Sequence, residues 1–246
     1  MLGKLRAIFR LLFFAFGAIF YITRYLIPVI FTGTNVDRGI RLRKEFTNLF
    51  FWALNIDVEV FGDFPQGGGL LVCNHRSYID PFLLLKDVSA MPVGKVEVLS
   101  WPIIGTAGKV SGAIFVDRSS PESRQKARQD ITRAVKDGYF IINYAEGTTH
   151  GEPLTIDFKP GMFRDAAQEG FPIIPVALDY QRRSDYFIGT DTFVPHFLQA
   201  FSHPRMKVRV FYGPPITGTE AGELLQTTKA TIDQQLSTIR QDWHQG

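Results

Sequence analysis

Residues 70–80 read LLVCNHRSYID and change character after the fourth residue. The first four are apolar and predict a buried strand over Leu70–Cys73. Polar residues follow, and Pro81 then begins a helical pattern, since proline is favoured in the first turn of a helix. Cys73 lies inside the apolar run, where a cysteine packs as a small core residue. This strand, polar turn and helix together make the repeating unit of an α/β fold.

The same alternation continues along the chain to its end. Strand patterns cover Ile56–Val60, Ala113–Val116, Tyr139–Tyr144, Ile173–Leu178 and Met206–Tyr212. Helical patterns cover Pro81–Val88, Trp101–Val110, Pro121–Lys136, Gly161–Gln168 and Glu220–Trp243. Alternating strands and helices predict an α/β domain with a largely parallel sheet flanked by helices. We assign residues 56–246 to this domain.

Residues 1–55 differ from this domain in charge and hydropathy. Eight of the 27 basic residues but only one of the 24 acidic residues precede Glu45, which leaves the rest of the chain mildly acidic. A basic, apolar segment suits an anionic membrane surface, whereas an acidic body argues against nucleic-acid binding. No small-residue cleavage site follows the apolar run Leu11–Ile22, which disfavours a secretory signal peptide. The segment therefore predicts a helical membrane anchor.

The anchor has two possible arrangements in a membrane. As a helix, Leu11–Ile22 is about 18 Å long, shorter than the ~30 Å hydrocarbon core. A single tilted span reaching Phe31 has to accommodate Arg24 at an interface. Alternatively, two helices hinged near Pro28–Gly33 lie in one leaflet, and we favour this arrangement. A helix of a soluble core is the third interpretation. We expect the domain of residues 56–246 to face the cytoplasm, at the inner membrane in a bacterium.

Polar residues that could take part in catalysis or binding follow the predicted strands. Functional groups of open α/β sheets gather at the carboxyl ends of strands. His75, with Asp80 five residues later, fits a general base and the carboxylate that orients it. A surface histidine and a helix-capping aspartate are the alternative. Because the chain has no G-x-S-x-G nucleophile elbow, the pair suits activation of an external hydroxyl.

Two further groups follow other predicted strands. The guanidinium of Arg118 suits a phosphate or carboxylate, and a salt bridge to Asp117 is the alternative. In Glu146-Gly147-Thr148, the glycine permits a tight turn whose amides bind anions. Glu146 is expected to order Arg118 or to bind a substrate hydroxyl. A plain polar turn is the alternative for this segment.

The order and spacing of these groups resemble the glycerolipid acyltransferases of the PlsC type, also called lysophosphatidic acid acyltransferases. Ile174-Pro175-Val176 matches a further block of that family, although a proline inside a strand by itself indicates an edge strand or a bulge. The matching blocks are N-H-x4-D at 74–80, G-x-I-F-V-x-R at 112–118, E-G-T at 146–148, F-K-P-G at 158–161 and I-P-V at 174–176.

The resemblance implies an activity and a set of site residues. It implies transfer of a fatty acyl group from acyl-CoA or acyl carrier protein to the free hydroxyl of a lysophospholipid, with 1-acyl-sn-glycerol-3-phosphate giving phosphatidic acid. His75 acts as base and Asp80 orients it, without an acyl-enzyme. No metal and no cofactor besides the acyl donor are implied. The expected substrate contacts are Asn74, Arg118, Glu146, Gly147, Thr148 and Lys159.

Two positions depart from the family pattern. Ala145 stands where the family usually has proline, and Thr149 stands where it usually has arginine. The second departure removes one positive charge from the acceptor site, which Arg118, Lys159 or Arg164 would supply. A Glu-Gly-Thr-Thr block is also similar to relatives that acylate lyso-ornithine lipids, which makes such a lipid the alternative acceptor.

Two other classes of protein compete with an acyltransferase. A membrane lipid-binding protein with a degenerate site would explain the departures, but it does not require an intact His75 and Asp80. A metallohydrolase would use these two residues with His150, although the chain has no H-E-x-x-H or comparable ligand cluster.

Overall fold

A computed structural model describes residues 2–100, 104–110, 112–241 and 243 of the chain. The helices are α1 Leu2–Thr32, α2 Val36–Leu54, α3 Asp80–Leu85, α4 Ile104–Val110, α5 Pro121–Lys136, α6 Gly161–Glu169, α7 Phe193–Ala200 and α8 Ala221–Ile239. The strands are β1 Ile56–Phe61, β2 Gly69–Cys73, β3 Ala90–Lys95, β4 Ile114–Val116, β5 Phe140–Tyr144, β6 Ile173–Tyr180 and β7 Met206–Tyr212. Short 3-10 helices cover Val96–Ser100 and Arg183–Asp185.

The strands form one sheet with a largely parallel core. Within the described residues its order is β1-β7-β6-β2-β5-β3-β4. Five neighbouring strands run parallel, while β1 and β7 run parallel to each other and opposite to these five. Helices cover both faces: α2, α3 and α7 contribute to the core on one side, and α5, α6 and α8 to the core on the other. The predicted fold class is confirmed.

One strand and several boundaries differ from the sequence prediction. The sequence did not indicate β3, because Pro92 and Gly94 within it are both unfavourable for strands. The predicted helix over Trp101–Val110 is present from Ile104 onwards, and its first three positions lie outside the described residues. Helix α8 ends at Ile239, four residues before the predicted end.

Pro175 lies in an interior strand, so the edge-strand interpretation is wrong. It pairs with Val72 of β2 on one side of β6. On the other side, the pairing changes from Ile173 with Ile216 to Val176 with Tyr212. Between these two pairs, two residues of β6 thus face three residues of the opposing segment, which is the pattern of a β-bulge. A bulge accommodates the missing N–H of Pro175, since the ladder is already interrupted there.

The first two helices form an antiparallel hairpin. Helix α1 continues through Pro28 and ends one turn later at Thr32, so the hinge lies at the Gly33 end of the predicted Pro28–Gly33 region. A proline removes a single helix hydrogen bond, and near the end of a long helix few further bonds depend on it. The turn is made by Gly33 with φ +72° and by Asn35, whose side chain accepts a hydrogen bond from the Arg38 N–H at 2.8 Å. Asn35 thereby caps the start of α2.

The hairpin packs against the body through the inner face of α1. The Phe14 ring contacts Phe50 of α2 and Phe197 of α7, with centroids 4.9 and 6.2 Å away. The buried guanidinium of Arg10 donates hydrogen bonds to the carbonyls of Phe201, His203 and Pro204 at 2.7–3.0 Å. These contacts orient α1 along the body. The division at residue 55 stays a prediction.

The outer face of α1 remains apolar and exposed. Among the described helices, α1 alone is long and apolar enough to cross a membrane, and 22% of its most apolar window is buried. Its outward-facing residues include Leu5, Phe9, Leu12, Phe16, Ile19, Phe20 and Ile27. An uninterrupted apolar face of this size is characteristic of a surface that meets lipid or another protein.

Phe14 lies on the inner face of α1 and Phe16 on its outer face, so the two positions allow the docking of α1 to be tested. We expect Phe14→Ala to lower the free energy of unfolding by about 3 kcal/mol, because a buried ring is lost and a cavity remains. The control is Phe16→Ala, at a position that is 69% exposed against 9% for Phe14, and it should change the value by about 0.5 kcal/mol or less. Urea unfolding in detergent measures both. Equal effects would contradict the docking of α1.

Candidate active site

Three parallel strands end at the same edge of the sheet and bring the predicted site residues together. His75 follows β2, Glu146 follows β5 and Arg118 follows β4. Strand β5 lies directly beside β2, with Cys73 paired to Tyr144. Parallel strands place the residues after their carboxyl ends on one edge. His75, Arg118 and Glu146, which are far apart in sequence, therefore lie in one site.

Asp80 is fully buried and its carboxylate holds the His75–Asp80 turn closed. Oδ2 accepts hydrogen bonds from His75 Nδ1–H at 2.7 Å and from the backbone N–H groups of Arg76 and Ser77 at 2.6 and 2.9 Å. Oδ1 accepts from the Tyr180 hydroxyl at 2.5 Å. These partners replace water around a buried charge. The alternative of a helix-capping aspartate is wrong, because the carboxylate faces backward into the turn.

The His75 ring is held by Asp80 and Tyr144 and is partly exposed. Its ring stacks on Tyr144 with centroids 4.0 Å apart, and its side chain is 20% exposed. A carboxylate only accepts hydrogen bonds, so Nδ1 carries a proton, and in the neutral imidazole Nε2 then carries the lone pair. Within the described residues, Nε2 has no hydrogen-bond partner. This tautomer and orientation are those of a general base.

The Glu146 carboxylate accepts hydrogen bonds from His75, His150 and Ile156 rather than from Arg118. Oε2 accepts from the His75 N–H at 2.6 Å, and Oε1 accepts from His150 Nε2–H at 2.6 Å and from the Ile156 N–H at 3.2 Å. No ion pair within the described chain joins Glu146 to Arg118, so the expected ordering of that arginine is wrong. Its role as a substrate contact stays a prediction.

Two cations converge on the turn that follows β5. Gly147 has φ +75°, and a Cβ built there would lie 3.8 Å from Arg118 Nη1 and 3.9 Å from Lys159 Cε. Both cationic side chains are exposed, and neither forms an ion pair within the described residues. Asp117 instead accepts from the Ser119 N–H at 2.9 Å and from its hydroxyl at 2.6 Å, so the predicted alternative of an Arg118–Asp117 bridge is wrong. These Ser119 hydrogen bonds lower the pKa of Asp117.

The remaining predicted site residues differ in exposure. Asn74 is fully buried, and its amide exchanges two 2.9 Å hydrogen bonds with the backbone of Leu178, which ties the end of β2 to β6. Its assignment as a substrate contact stays a prediction. Thr148 is exposed beside Gly147. The thiol of Cys73 is buried, and burial raises its pKa well above the usual value, which confirms it as a core residue.

The sequence did not reveal three residues around His75, which are Tyr144, Tyr180 and Arg76, and it indicated His150 only as a ligand in the metallohydrolase alternative. Tyr144 and Tyr180 lie at the ends of strands that the pattern marked as apolar, where a tyrosine is indistinguishable from a packing residue. Burial, followed by the nearby charge of Asp80, raises the pKa of Tyr180 well above its usual value, so its hydroxyl keeps the proton that it donates. Arg76 lies inside the His75–Asp80 turn and is fully buried.

A clamp from α8 fixes the loop that carries Lys159. Asp233 accepts hydrogen bonds from the Thr155 N–H at 2.8 Å and from its hydroxyl at 2.6 Å. Lys229 donates to the Thr155 carbonyl at 3.1 Å and to Asp233 at 2.9 Å. Arg240 donates to the Pro153 carbonyl of the same loop. The position of Lys159 therefore depends on the last helix.

The described residues contain no cluster of three or more His, Cys, Asp or Glu side chains arranged for a metal. Arg76 Nη1 lies 3.0 Å from His150 Nε2. A guanidinium beside an imidazole disfavours a bound cation there, because like charges repel. The site geometry thus favours proton transfer by His75 over metal chemistry that uses His150.

An α/β sheet that places a hydrogen-bonded histidine–aspartate pair and two cationic side chains at its carboxyl edge is suited to group transfer or hydrolysis. The family model described as Acyltransferase matches residues 55–179, which contain the whole His75–Asp80 turn, Arg118 and the 146–148 turn. The chain belongs to this acyltransferase family and is an enzyme.

Individual relatives and a solved structure support the assignment. A lyso-ornithine lipid O-acyltransferase from Pseudomonas aeruginosa is 29% identical over 73% of this chain and 72% of its own length. A 1-acyl-sn-glycerol-3-phosphate acyltransferase from Neisseria meningitidis is 28% identical over 52% of this chain, and the match spans about half (51%) of that relative. The crystal structure of PlsC from Thermotoga maritima, a 1-acyl-sn-glycerophosphate acyltransferase, shares the fold with a TM-score of 0.71 at 20% identity, covering 99% of this chain and all of the other.

Two buried tyrosines allow the Tyr180–Asp80 hydrogen bond to be tested. Tyr180→Phe removes the hydroxyl that donates to Asp80, and Tyr186→Phe removes the hydroxyl that donates to Asp179, a carboxylate outside the His75–Asp80 turn. We expect each variant to lower the free energy of unfolding by about 1–3 kcal/mol. Only Tyr180→Phe should also lower the acyl-transfer rate constant, because only Asp80 orients His75. Equal rate constants for the two variants would contradict this role of Tyr180.

Proposed function

We propose that this enzyme transfers a fatty acyl group from a thioester donor, acyl-CoA or acyl carrier protein, to the free hydroxyl of a lysophospholipid. The acceptor proposed first is 1-acyl-sn-glycerol-3-phosphate, and the product is phosphatidic acid. The observation that carries the proposal is the open Nε2 of an oriented histidine beside a turn with two unpaired cations. The names of the relatives support a lyso-lipid acceptor.

His75 supplies the base in this mechanism. Its Nε2 takes the proton of the acceptor hydroxyl while the hydroxyl oxygen attacks the thioester carbonyl. Asp80 stabilises the imidazolium that forms, since their hydrogen bond becomes charge-assisted. The tetrahedral intermediate collapses, the C–S bond breaks, and the leaving thiolate takes the proton from His75. Cys73 is buried in the core, which argues against an acyl-enzyme on that thiol.

The headgroup of the acceptor binds at the turn around Gly147. Arg118 and Lys159 supply two positive charges on one side of it, and the absence of a side chain at Gly147 lets an anion approach the backbone. A guanidinium binds a phosphate or a carboxylate bidentately. Arg164, which was expected as a third cation, lies exposed in the first turn of α6.

A lyso-ornithine lipid is the second candidate acceptor. Thr149 replaces the arginine that the family pattern usually has, so the site has one fixed charge less than a phosphate-binding relative. An ornithine headgroup has a carboxylate and an amine in place of a phosphate, and it needs less positive charge. A relative with this printed activity aligns over 73% of the chain.

Acyl transfer to defined acceptors tests the function. Wild-type protein in mixed micelles should transfer a radiolabelled acyl group from acyl-CoA or acyl carrier protein to lysophosphatidic acid or lyso-ornithine lipid. His75→Ala should lower the rate constant by at least about 10²-fold, since general-base catalysis contributes about that much or more. His203→Ala, at an exposed position after α7, is the control and should keep the wild-type rate.

Three results would contradict the proposal. Transfer to neither lipid would exclude it and favour a lipid-binding protein. Full activity of the folded His75→Ala variant would exclude the mechanism. Loss of activity in a chelator would favour metal chemistry, which this mechanism does not use. The ratio of the two acceptor rates decides between phosphate and ornithine headgroups.

The outer face of α1 places the enzyme on a membrane in this proposal. Because α1 contacts the body through Arg6 and Arg10 and its inner face stays buried as far as Tyr25, the arrangement in one leaflet agrees better with its packing than a span does. The acceptor and product are then lipids of the leaflet in which α1 lies. A cytoplasmic orientation of the domain remains part of the proposal.

Substitutions on the exposed face of α1 test membrane binding without disturbing its packing. The double variant Phe9→Ser with Phe16→Ser should bind anionic phospholipid vesicles at least about 10²-fold more weakly, because each ring contributes roughly 1.5–3 kcal/mol on transfer into lipid. The control is Phe64→Ser with Leu154→Ser, which removes two exposed apolar residues outside α1. Cosedimentation measures both. Unchanged sedimentation of the α1 variant would contradict the proposed anchor.

A further inference from the structure

His150 lies outside the motif blocks but inside the site. Its side chain is 11% exposed and sits between two buried groups of opposite charge, Glu146 and Arg76. Nε2 lies 2.6 Å from Glu146 Oε1, and Arg76 Nη1 lies 3.1 Å from Nδ1. The backbone of His150 also takes part, since its carbonyl accepts from Arg76 Nη1 at 3.3 Å. The ring of His150 therefore contacts both groups, and its carbonyl contacts Arg76 as well.

The surrounding donors and acceptors define the protonation of the ring. Glu146 accepts hydrogen bonds, so Nε2 carries a proton. The Glu152 N–H points at Nδ1 from 3.2 Å, so Nδ1 accepts and carries no proton. The Arg76 guanidinium faces the same ring, and a second positive charge there would be repelled. His150 is thus the neutral Nε2–H tautomer.

The link through His150 ends on the backbone of His75. Glu146 uses its other oxygen, Oε2, to accept the His75 N–H at 2.6 Å. The His150 N–H donates to the His75 carbonyl at 3.3 Å. Both backbone polar groups of His75, its N–H and its C=O, are therefore held by the segment 146–150. An error of about 1 Å in the position of a reacting group can cost roughly 10²-fold in rate.

We propose that His150 is a positioning residue for His75. As a neutral donor it fixes the Glu146 carboxylate, which in turn fixes the backbone of the catalytic histidine, while Arg76 balances the buried negative charge. This inference rests on the proposed function for its kinetic consequence, but its structural consequence is independent of activity. His150 itself does not contact the substrate in this proposal.

Two substitutions separate the hydrogen bond from the volume of the ring. His150→Leu removes the donor to Glu146, and we expect its kcat to fall by roughly 10- to 10²-fold with KM changed less than about twofold. His150→Gln keeps an N–H donor and should retain kcat to within about threefold. Glu146→Gln should also lower kcat, and combining it with His150→Leu should add little, because both changes break the same link.

Imidazole ¹⁵N spectra provide a second readout that needs no turnover. Wild-type protein at neutral pH should show His150 protonated at Nε2 and not at Nδ1, and the ring signals of His75 should shift in His150→Leu but not in His150→Gln. A His150→Leu variant with wild-type kcat, or a His150→Gln variant as slow as His150→Leu, would overturn the proposal. If wild-type protein transfers no acyl group, the proposed function fails, and unchanged His75 signals in His150→Leu would then overturn this inference separately.

Discussion

The buried carboxylate of Asp80 is the constraint around which the site is built. A charge without solvent is stable only when donors surround it, and here the donors are the His75 ring, two backbone N–H groups and the Tyr180 hydroxyl. The spacing of five residues between histidine and aspartate follows from this geometry. Within the turn, the N–H groups of Arg76 and Ser77 both reach the carboxylate oxygen that accepts from the His75 ring.

The sheet extends this constraint to distant parts of the chain. Tyr180 is the last residue of β6, and Tyr144, on which the His75 ring stacks, is the last residue of β5. Strand β2 lies between these two strands, so the base is positioned by both of its neighbours. The cations lie further out, where Gly147 leaves space for them. The half of the site around Asp80 is buried, and the half that carries Arg118 and Lys159 is exposed.

Much of this arrangement was predictable from the sequence, and the exceptions have physical causes. Apolar runs and their polar ends identified the strands that carry His75, Arg118 and Glu146, because burial of a parallel sheet requires continuous apolar residues. Strand β3 was missed since tertiary pairing overrides the unfavourable Pro92 and Gly94. The partners of Glu146 were missed because they depend on how separate loops meet, which periodicity does not encode. The hinge of the first two helices lies at Gly33 rather than at Pro28, because a proline near the end of α1 costs few hydrogen bonds.

The pairing of β1 with β7 affects how the protein is made. Ile56 pairs with Met206, so during synthesis the first strand cannot pair until about 150 further residues have been made. At 5–20 residues per second, a ribosome needs roughly ten to thirty seconds to synthesise that interval. During this time α1 also lacks Phe197 and the carbonyls of residues 201–204, on which it finally docks. The apolar hairpin thus emerges well before the enzyme body exists, and β6 and α8 complete the site last.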